Sequence, residues 1–147
     1  SSGKPLKNDT DYMVSYAANG KNVGIHTVTI MLKGRYNGTI KKTFTVKPRG
    51  TSITGLTPGK KKFTVKWKKQ KSQVTGYELQ YSTSSKFKKA KTVKNIRAKT
   101  TSKKIVKLKA KKKYYVRIRT YKTVKLNGIS VKLYSRWSKG KSVKTKK

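Results

Sequence analysis

The chain has 147 residues, and 41 Lys and Arg against 3 Asp and Glu leave a formal net charge of +38. That charge works against compaction and taken alone suggests a disordered or nucleic-acid-binding tail, but 33% hydrophobic and 10% aromatic residues supply a folded core. The absence of Cys excludes disulfides, thiolate zinc sites and Cys nucleophiles, His26 as the one histidine excludes a multi-histidine metal centre, and no apolar run approaches the ~20 residues of a membrane helix, so no membrane insertion is expected.

The start SSGKPLKND is polar and does not read as a signal peptide, while secretion as part of a longer chain stays open. From there the pattern is apolar–polar alternation, broken every eight to twelve residues by Gly, Asn or Lys clusters, the spacing of an all-β sandwich. Tyr12, Val14 and Tyr16 alternate with Met13 and Ser15, and AANGKN reads as a turn. His26, Val28, Ile30 and Leu32 share one strand face. Asn37-Gly38 predicts a hairpin turn because both residue types tolerate positive φ. Ile40, Phe44 and Val46 line a third strand. No segment keeps a 3.6-residue period, so essentially no helix is predicted.

KPRGT marks a boundary, since Pro48 cannot donate to a ladder and Gly50 frees the backbone. The predicted organisation is a first module over 1–48, a linker over 49–51 and a second module over 52–147. In the second, Pro58-Gly59 predicts a turn. Phe63, Val65 and Trp67 then alternate with polar residues, as do Tyr77, Leu79 and Tyr81. Phe87 and Val93 flank a connecting strand, and Ile105 and Leu108 precede YYVRIRTY. There Tyr114, Val116 and Ile118 face one way and Tyr115, Arg117 and Arg119 the other. A last strand runs through WSKGKSVKT, giving about seven strands.

The segments FTVKW, GYELQYSTSSKFKKAKTV, LKAKKKYYVRIRTY and YSRWSKGKSVKT occur in the order of a fibronectin type III domain. The second half resembles the lysine-rich kind found on secreted and surface proteins of Gram-positive, especially clostridial, bacteria. The resemblance implies that Trp67 is the core tryptophan of the second strand and that Leu108 with Tyr114 forms a tyrosine corner. NDTDYMVSYAANGKNVGIHTVTIMLKGRYNGTIKKTFTVKP is similar to the C-terminal two-thirds of a bacterial immunoglobulin-like repeat, which implies a partial module lacking its opening strands. The expected fold is therefore all-β: a partial immunoglobulin-like β-sandwich followed by a seven-stranded fibronectin type III sandwich.

Candidate chemistry is sparse. Asp9 and Asp11 supply too few oxygens to hold a hard cation and are read as turn caps before Tyr12. Glu78 is placed on the outward face of its strand among lysines, as a surface ion pair worth little. No base accompanies a Ser or Thr nucleophile and no two acids face one cleft, so no catalytic residue, metal ligand or cofactor is assigned and the chain is not read as an enzyme. Arg117 and Arg119 point outward from one strand while YSRWS places Tyr134 and Trp137 before the next, a candidate cation–π ladder worth about 0.5–1 kcal/mol per exposed contact.

Lysines outnumber arginines 35 to 6, whereas nucleic-acid readers favour Arg for bidentate contacts. Nucleic acid is accordingly expected to bind only non-specifically. Lys60, Lys61 and Lys62, and Lys111, Lys112 and Lys113, are candidate contacts for anionic polymers such as teichoic acid or sulfated or sialylated glycans. The expected role is a non-catalytic extracellular module, secreted or cell-wall associated, acting as spacer or adhesive appendage beside neighbouring domains of a longer chain. The alternatives are an accessory domain of a secreted cell-wall or carbohydrate-active hydrolase and, ranked behind it, a nucleic-acid-binding protein.

Overall fold

Alternating β-branched and aromatic residues form strands throughout, and no helix occurs among the described residues, 3–17 and 20–147, of the computed structural model. The chain divides into one unit ending at Val46 and a second, Lys47–Lys147. In the first, β1 (Tyr12–Tyr16), β2 (Gly24–Leu32) and β3 (Thr39–Val46) form one antiparallel sheet in the order β1-β2-β3. The register aligns Val14, Ile30 and Ile40, and His26 with Phe44, so one face is apolar. Of this unit's described residues only Gly24 is buried, because one sheet has no second layer to close over that face.

One turn differs from the sequence expectation here, and another falls partly outside the described residues. AANGKN includes Ala18 and Asn19, which lie outside the described residues. The second hairpin reverses earlier than Asn37-Gly38: Tyr36 N–H donates to Lys33 O at 3.1 Å and Gly34 takes φ 64°. Gly38 O then already accepts from Leu32 N–H, at 2.9 Å. Gly34 adopts the left-handed conformation without a Cβ penalty, which relieves Asn37 of that duty.

The second unit is a two-sheet sandwich. One sheet joins β4 (Ile53–Gly59), β5 (Lys62–Trp67) and β8 (Ser102–Ile105) in the order β4-β5-β8. The other runs β10-β9-β6-β7 and is built from β6 (Gly76–Ser82), β7 (Lys91–Arg97), β9 (Lys113–Leu126) and β10 (Ile129–Tyr134). A further strand, β11 (Lys141–Lys144), pairs with the first part of β9. The inward sides of both sheets supply one core, including Phe63, Val65, Trp67, Tyr77, Leu79, Val116 and Ile118, each at most 3% exposed. Fully burying such side chains stabilises by ~1.5–3 kcal/mol each, and polar or charged residues occupy the alternate outward positions: Thr64 and Lys66 on β5, Glu78 and Gln80 on β6, Arg117 and Arg119 on β9.

Eight strands rather than seven form because β10, which the sequence expectation lacks, precedes the last expected strand, of which residues 141–144 form β11. Residues 135–140 leave the ladder, separating β10 from β11. Asn127 (φ 49°) and Gly128 (φ 82°) fold a two-residue hairpin turn between β9 and β10. The expected turn at Pro58-Gly59 is also displaced. Pro58 lies in β4 opposite Phe63, and the reversal falls at Lys60 and Lys61, with Lys61 at φ 49°. β4 is an edge strand, where a missing N–H costs nothing. Residues 49–51, expected as linker, are tied into the second unit: Thr120 Oγ1 donates to Arg49 O (2.8 Å) and Gln70 Nε2 to Gly50 O (2.7 Å). At the other end of this unit β4 and β11 lie against each other, and Lys60 and Lys146 form a parallel bridge in which Lys146 N–H donates to Gly59 O at 3.0 Å.

Candidate functional site

The three expected structural residues all lie in the second unit's core. Trp67 is 3% exposed and meets Tyr77 edge-on at 5.5 Å between ring centroids. Its indole Nε1 is buried without a hydrogen-bond partner. Leu108 and Tyr114 are both buried, and the Tyr114 hydroxyl accepts from Lys109 N–H at 3.1 Å. That bond fastens the turn before β9 to the strand that follows it.

On the outer face of the larger sheet, aromatic rings and guanidinium groups alternate. Arg117 Cζ lies 4.2 Å from the Phe87 centroid and 4.7 Å from that of Trp137, and Arg119 Cζ lies 4.4 Å from Trp137 and 3.7 Å from Tyr134. Each guanidinium is also held from the neighbouring strand. Gln80 Oε1 accepts from Arg117 Nε (3.0 Å) and Nη2 (2.8 Å), and Glu78 Oε2 accepts from Arg119 Nε (3.2 Å) and Nη2 (2.8 Å). Glu78 Oε1 takes the Tyr134 hydroxyl at 3.1 Å.

Glu78 is thus not the solvated surface carboxylate expected from its outward direction. It is 2% exposed, because the stacked rings and Arg119 roof it over. Burial, then the Arg119 charge, lowers the Arg117 pKa. Burial, then the bond to Glu78, raises that of Tyr134.

The interruption between β10 and β11 is what aims Trp137. Ser135 and Ser138 each give an N–H and take one in return: Ser135 N–H donates to Thr120 O (3.1 Å) and Ser138 N–H to Ile118 O (2.8 Å), while their hydroxyls accept from Thr120 N–H (3.1 Å) and Ile118 N–H (3.1 Å). Side-chain oxygens thereby replace the carbonyls of a regular partner strand, β9 loses no hydrogen bonds, and the intervening Trp137 is turned over the arginines.

The two lysine triplets, 51 positions apart in sequence, meet at one end of the sandwich. Leu108 N–H donates to Lys61 O, and Thr145 N–H to Lys112 O, both at 3.0 Å, while residue 146 bridges to Lys60. Lys60, Lys61, Lys62, Lys111, Lys112 and Lys113 are all exposed. Beside them opens a cleft of about 420 Å³. Lys89, Lys91, Lys107, Lys109 and Lys112 stand around it, and Tyr81, Tyr114 and Leu108 contribute its apolar lining. None of the three acids lines this cleft.

In the first unit, Asp11 Oδ2 accepts from Lys7 N–H (2.9 Å), and Asp9 Oδ2 accepts from Asn8 Nδ2 (3.2 Å), both local turn contacts. His26 Nε2 lies 2.7 Å from Asn22 O, and its ring packs 5.4 Å from that of Phe44. No cluster of three or more metal-ligating side chains occurs among the described residues. No helix among them is long and apolar enough to cross a membrane. Sequence reasoning missed Phe87 and Gln80 in the ladder, and Lys89, Lys91, Lys107 and Lys109 at the cleft. The Glu78–Arg119 and Gln80–Arg117 pairs follow from strand register, which apolar alternation alone does not supply.

Two facing antiparallel sheets over one core, closed by a tyrosine corner, define a β-sandwich module of the immunoglobulin-like class. The profile of the fibronectin type III domain matches residues 46–136, and the chain belongs to that family. No curated protein matches the chain. Among solved structures it is similar to the FN1–FN3 domains of chicken CNTN1, at TM-score 0.56 and 14% identity over 92% of this chain and 56% of that one. It is also similar to titin domains A168-A170, at TM-score 0.47 and 18% identity over 97% of this chain and 51% of that one. The chain therefore spans about half the length of these structures.

Proposed function

We propose that the chain is a non-catalytic extracellular module of a bacterial surface or secreted protein, a spacer or adhesive appendage whose cationic surface binds anionic polymers. Fibronectin type III domains are generally non-catalytic structural modules, and the lysine-rich resemblance supports a Gram-positive surface protein whose first unit is the remainder of an immunoglobulin-like repeat. The observation that carries the binding reading is charge without a partner. Residues 47–147 hold 34 Lys and Arg against one acid, a net +33, and that acid, Glu78, is buried and already committed to Arg119. The counter-charge for this surface is therefore external.

A polymer lying on the surface would release condensed counterions, so affinity should fall steeply with salt. With a Debye length of ~8 Å at physiological ionic strength, only the face in contact contributes. The test is calorimetric titration of the whole chain with heparin across a salt series. The expected result is a linear fall of log affinity with log salt, with further weakening in Lys111→Glu/Lys112→Glu/Lys113→Glu. Salt-independent affinity, or no binding at low salt, would overturn the reading.

A further inference from the structure

We infer that the cleft between the end of β6, the start of β7 and the turn before β9 is a subsite for a tetrahedral oxyanion ester, sulfate or phosphate, carried on a polyhydroxylated chain. This deepens the polyanion reading and rests on it: the lysine field attracts any polyanion, and the cleft adds a shaped contact. Its volume, about 420 Å³, lies in the ~300–1,000 Å³ range of small-ligand sites. Five lysines from two separate segments, Lys89 and Lys91 in one and Lys107, Lys109 and Lys112 in the other, line it, and no carboxylate does.

The cleft is built as well as charged. Tyr81 packs edge-on to Phe63 (6.1 Å) and Tyr114 (6.3 Å), which fixes its ring. The Tyr114 hydroxyl is occupied by Lys109 N–H, and that bond fixes the backbone carrying the Lys109 ammonium. The Tyr81 hydroxyl makes no hydrogen bond among the described residues, which leaves a phenol to donate to a ligand oxygen. Burial, then Tyr114, raises its pKa, so it keeps its proton at neutral pH.

A saccharide or polyol phosphate fits this lining better than a nucleic acid. Single strands are held by stacking bases on open aromatic faces, whereas Tyr114 is only 7% exposed and Tyr81 packs on two other rings. The cleft's cations are all lysines, point charges that suit single ester oxygens rather than the bidentate base edges that arginine reads.

The test titrates the whole chain, at one fixed salt concentration, with a heparin tetrasaccharide, a glycerol phosphate tetramer and a thymidine oligonucleotide of matched charge. Lys91→Gln/Lys109→Gln removes two charges at the cleft, and Lys94→Gln/Lys103→Gln removes two exposed charges elsewhere. Losing a charge-assisted hydrogen bond at each site predicts roughly tenfold weaker binding of the tetrasaccharide or the glycerol phosphate for the cleft variant, and under about twofold for the control. The arm that responds identifies the ester. Tyr81→Phe should weaken the same arm with an unchanged melting temperature.

Equal losses from the two lysine pairs would overturn the subsite while leaving the diffuse polyanion reading intact. Oligonucleotide binding as tight as the better of the other two, and equally sensitive to the cleft variant, would assign the cleft to nucleic acid instead. No binding of any probe by the unmodified chain would refute both readings.

Discussion

Glu78 is the only negative charge in a unit carrying 34 positive ones, and its replacement is the sharpest test of the ladder. One oxygen takes two N–H groups of Arg119 and the other takes the Tyr134 hydroxyl. Hydrogen bonds to charged groups contribute ~1.5–3 kcal/mol, and removing one partner of a buried pair costs ~3–5 kcal/mol. The Arg119 side chain is 24% exposed and recovers part of its hydration, so Glu78→Ala should cost about 2–4 kcal/mol. For a unit of this size each kcal/mol moves the melting temperature by ~4–8 °C, so the expected drop is at least about 8 °C. Glu78→Gln keeps an acceptor and the volume and should lose roughly half as much. Salt should rescue part of the Ala variant, because screening relieves a repulsion that Glu78 no longer offsets. Calorimetric melting of the chain with Glu78→Ala, Arg119→Met and the double variant measures the coupling, expected in the range of ~0.5–3 kcal/mol for residues in contact. A melting temperature within about 2 °C of the unmodified chain for Glu78→Ala would mean that the pair is an ordinary exposed one, worth ~0–1 kcal/mol, and that the roof over it is open in solution.

Tyr114→Phe should cost about 1 kcal/mol, the usual worth of one hydrogen bond, and an unmoved denaturation midpoint would exclude the tyrosine corner. Trp137→Ala removes a ring shared by two guanidinium groups, and at about 0.5–1 kcal/mol per contact urea unfolding should show a loss of roughly 1–2 kcal/mol. Tyr134, Tyr121 and Tyr81 each have a pKa raised chiefly by burial. Their contribution is therefore whole below the ordinary tyrosine value of ~10 and declines as pH rises through the higher folded values, because the unfolded chain ionises first. In Tyr134→Phe the alkaline fall in stability should be shallower than in the unmodified chain, and identical profiles would refute the assignment.

Strand alternation carried most of the fold into the sequence, because successive side chains of a strand point to opposite faces, so a buried residue is followed by an outward one. Phe63, Val65 and Trp67 are the plainest case. What alternation does not encode is register, so Glu78 looked like a surface acid although its cross-strand partner is Arg119. Turns were misplaced where two candidate reversals stood within a few residues of each other. Gly34 prevailed over Asn37-Gly38, and Lys60 and Lys61 over Pro58-Gly59. Asn127-Gly128, a strong hairpin signal flanked by apolar residues, was overlooked, and β10 with it. Tyr134 and Trp137 were legible as partners of the arginines from the YSRWS run alone, but Phe87 reaches the ladder from a loop whose path depends on its own φ of 55°. The cleft lysines come from two segments, 89–91 and 107–112, that only the sandwich brings together.

The parallel bridge between Lys60 and Lys146 has a mechanical consequence. β4 opens the second unit and β11 closes it, and they point the same way where they meet. Tension applied through Lys47 and Lys147 would draw these two strands along their lengths in opposite directions. Bonds across such a junction are loaded in shear and yield together, whereas the open end of an antiparallel hairpin peels one bond at a time. A unit closed this way resists a steady pull between its ends and then gives way abruptly.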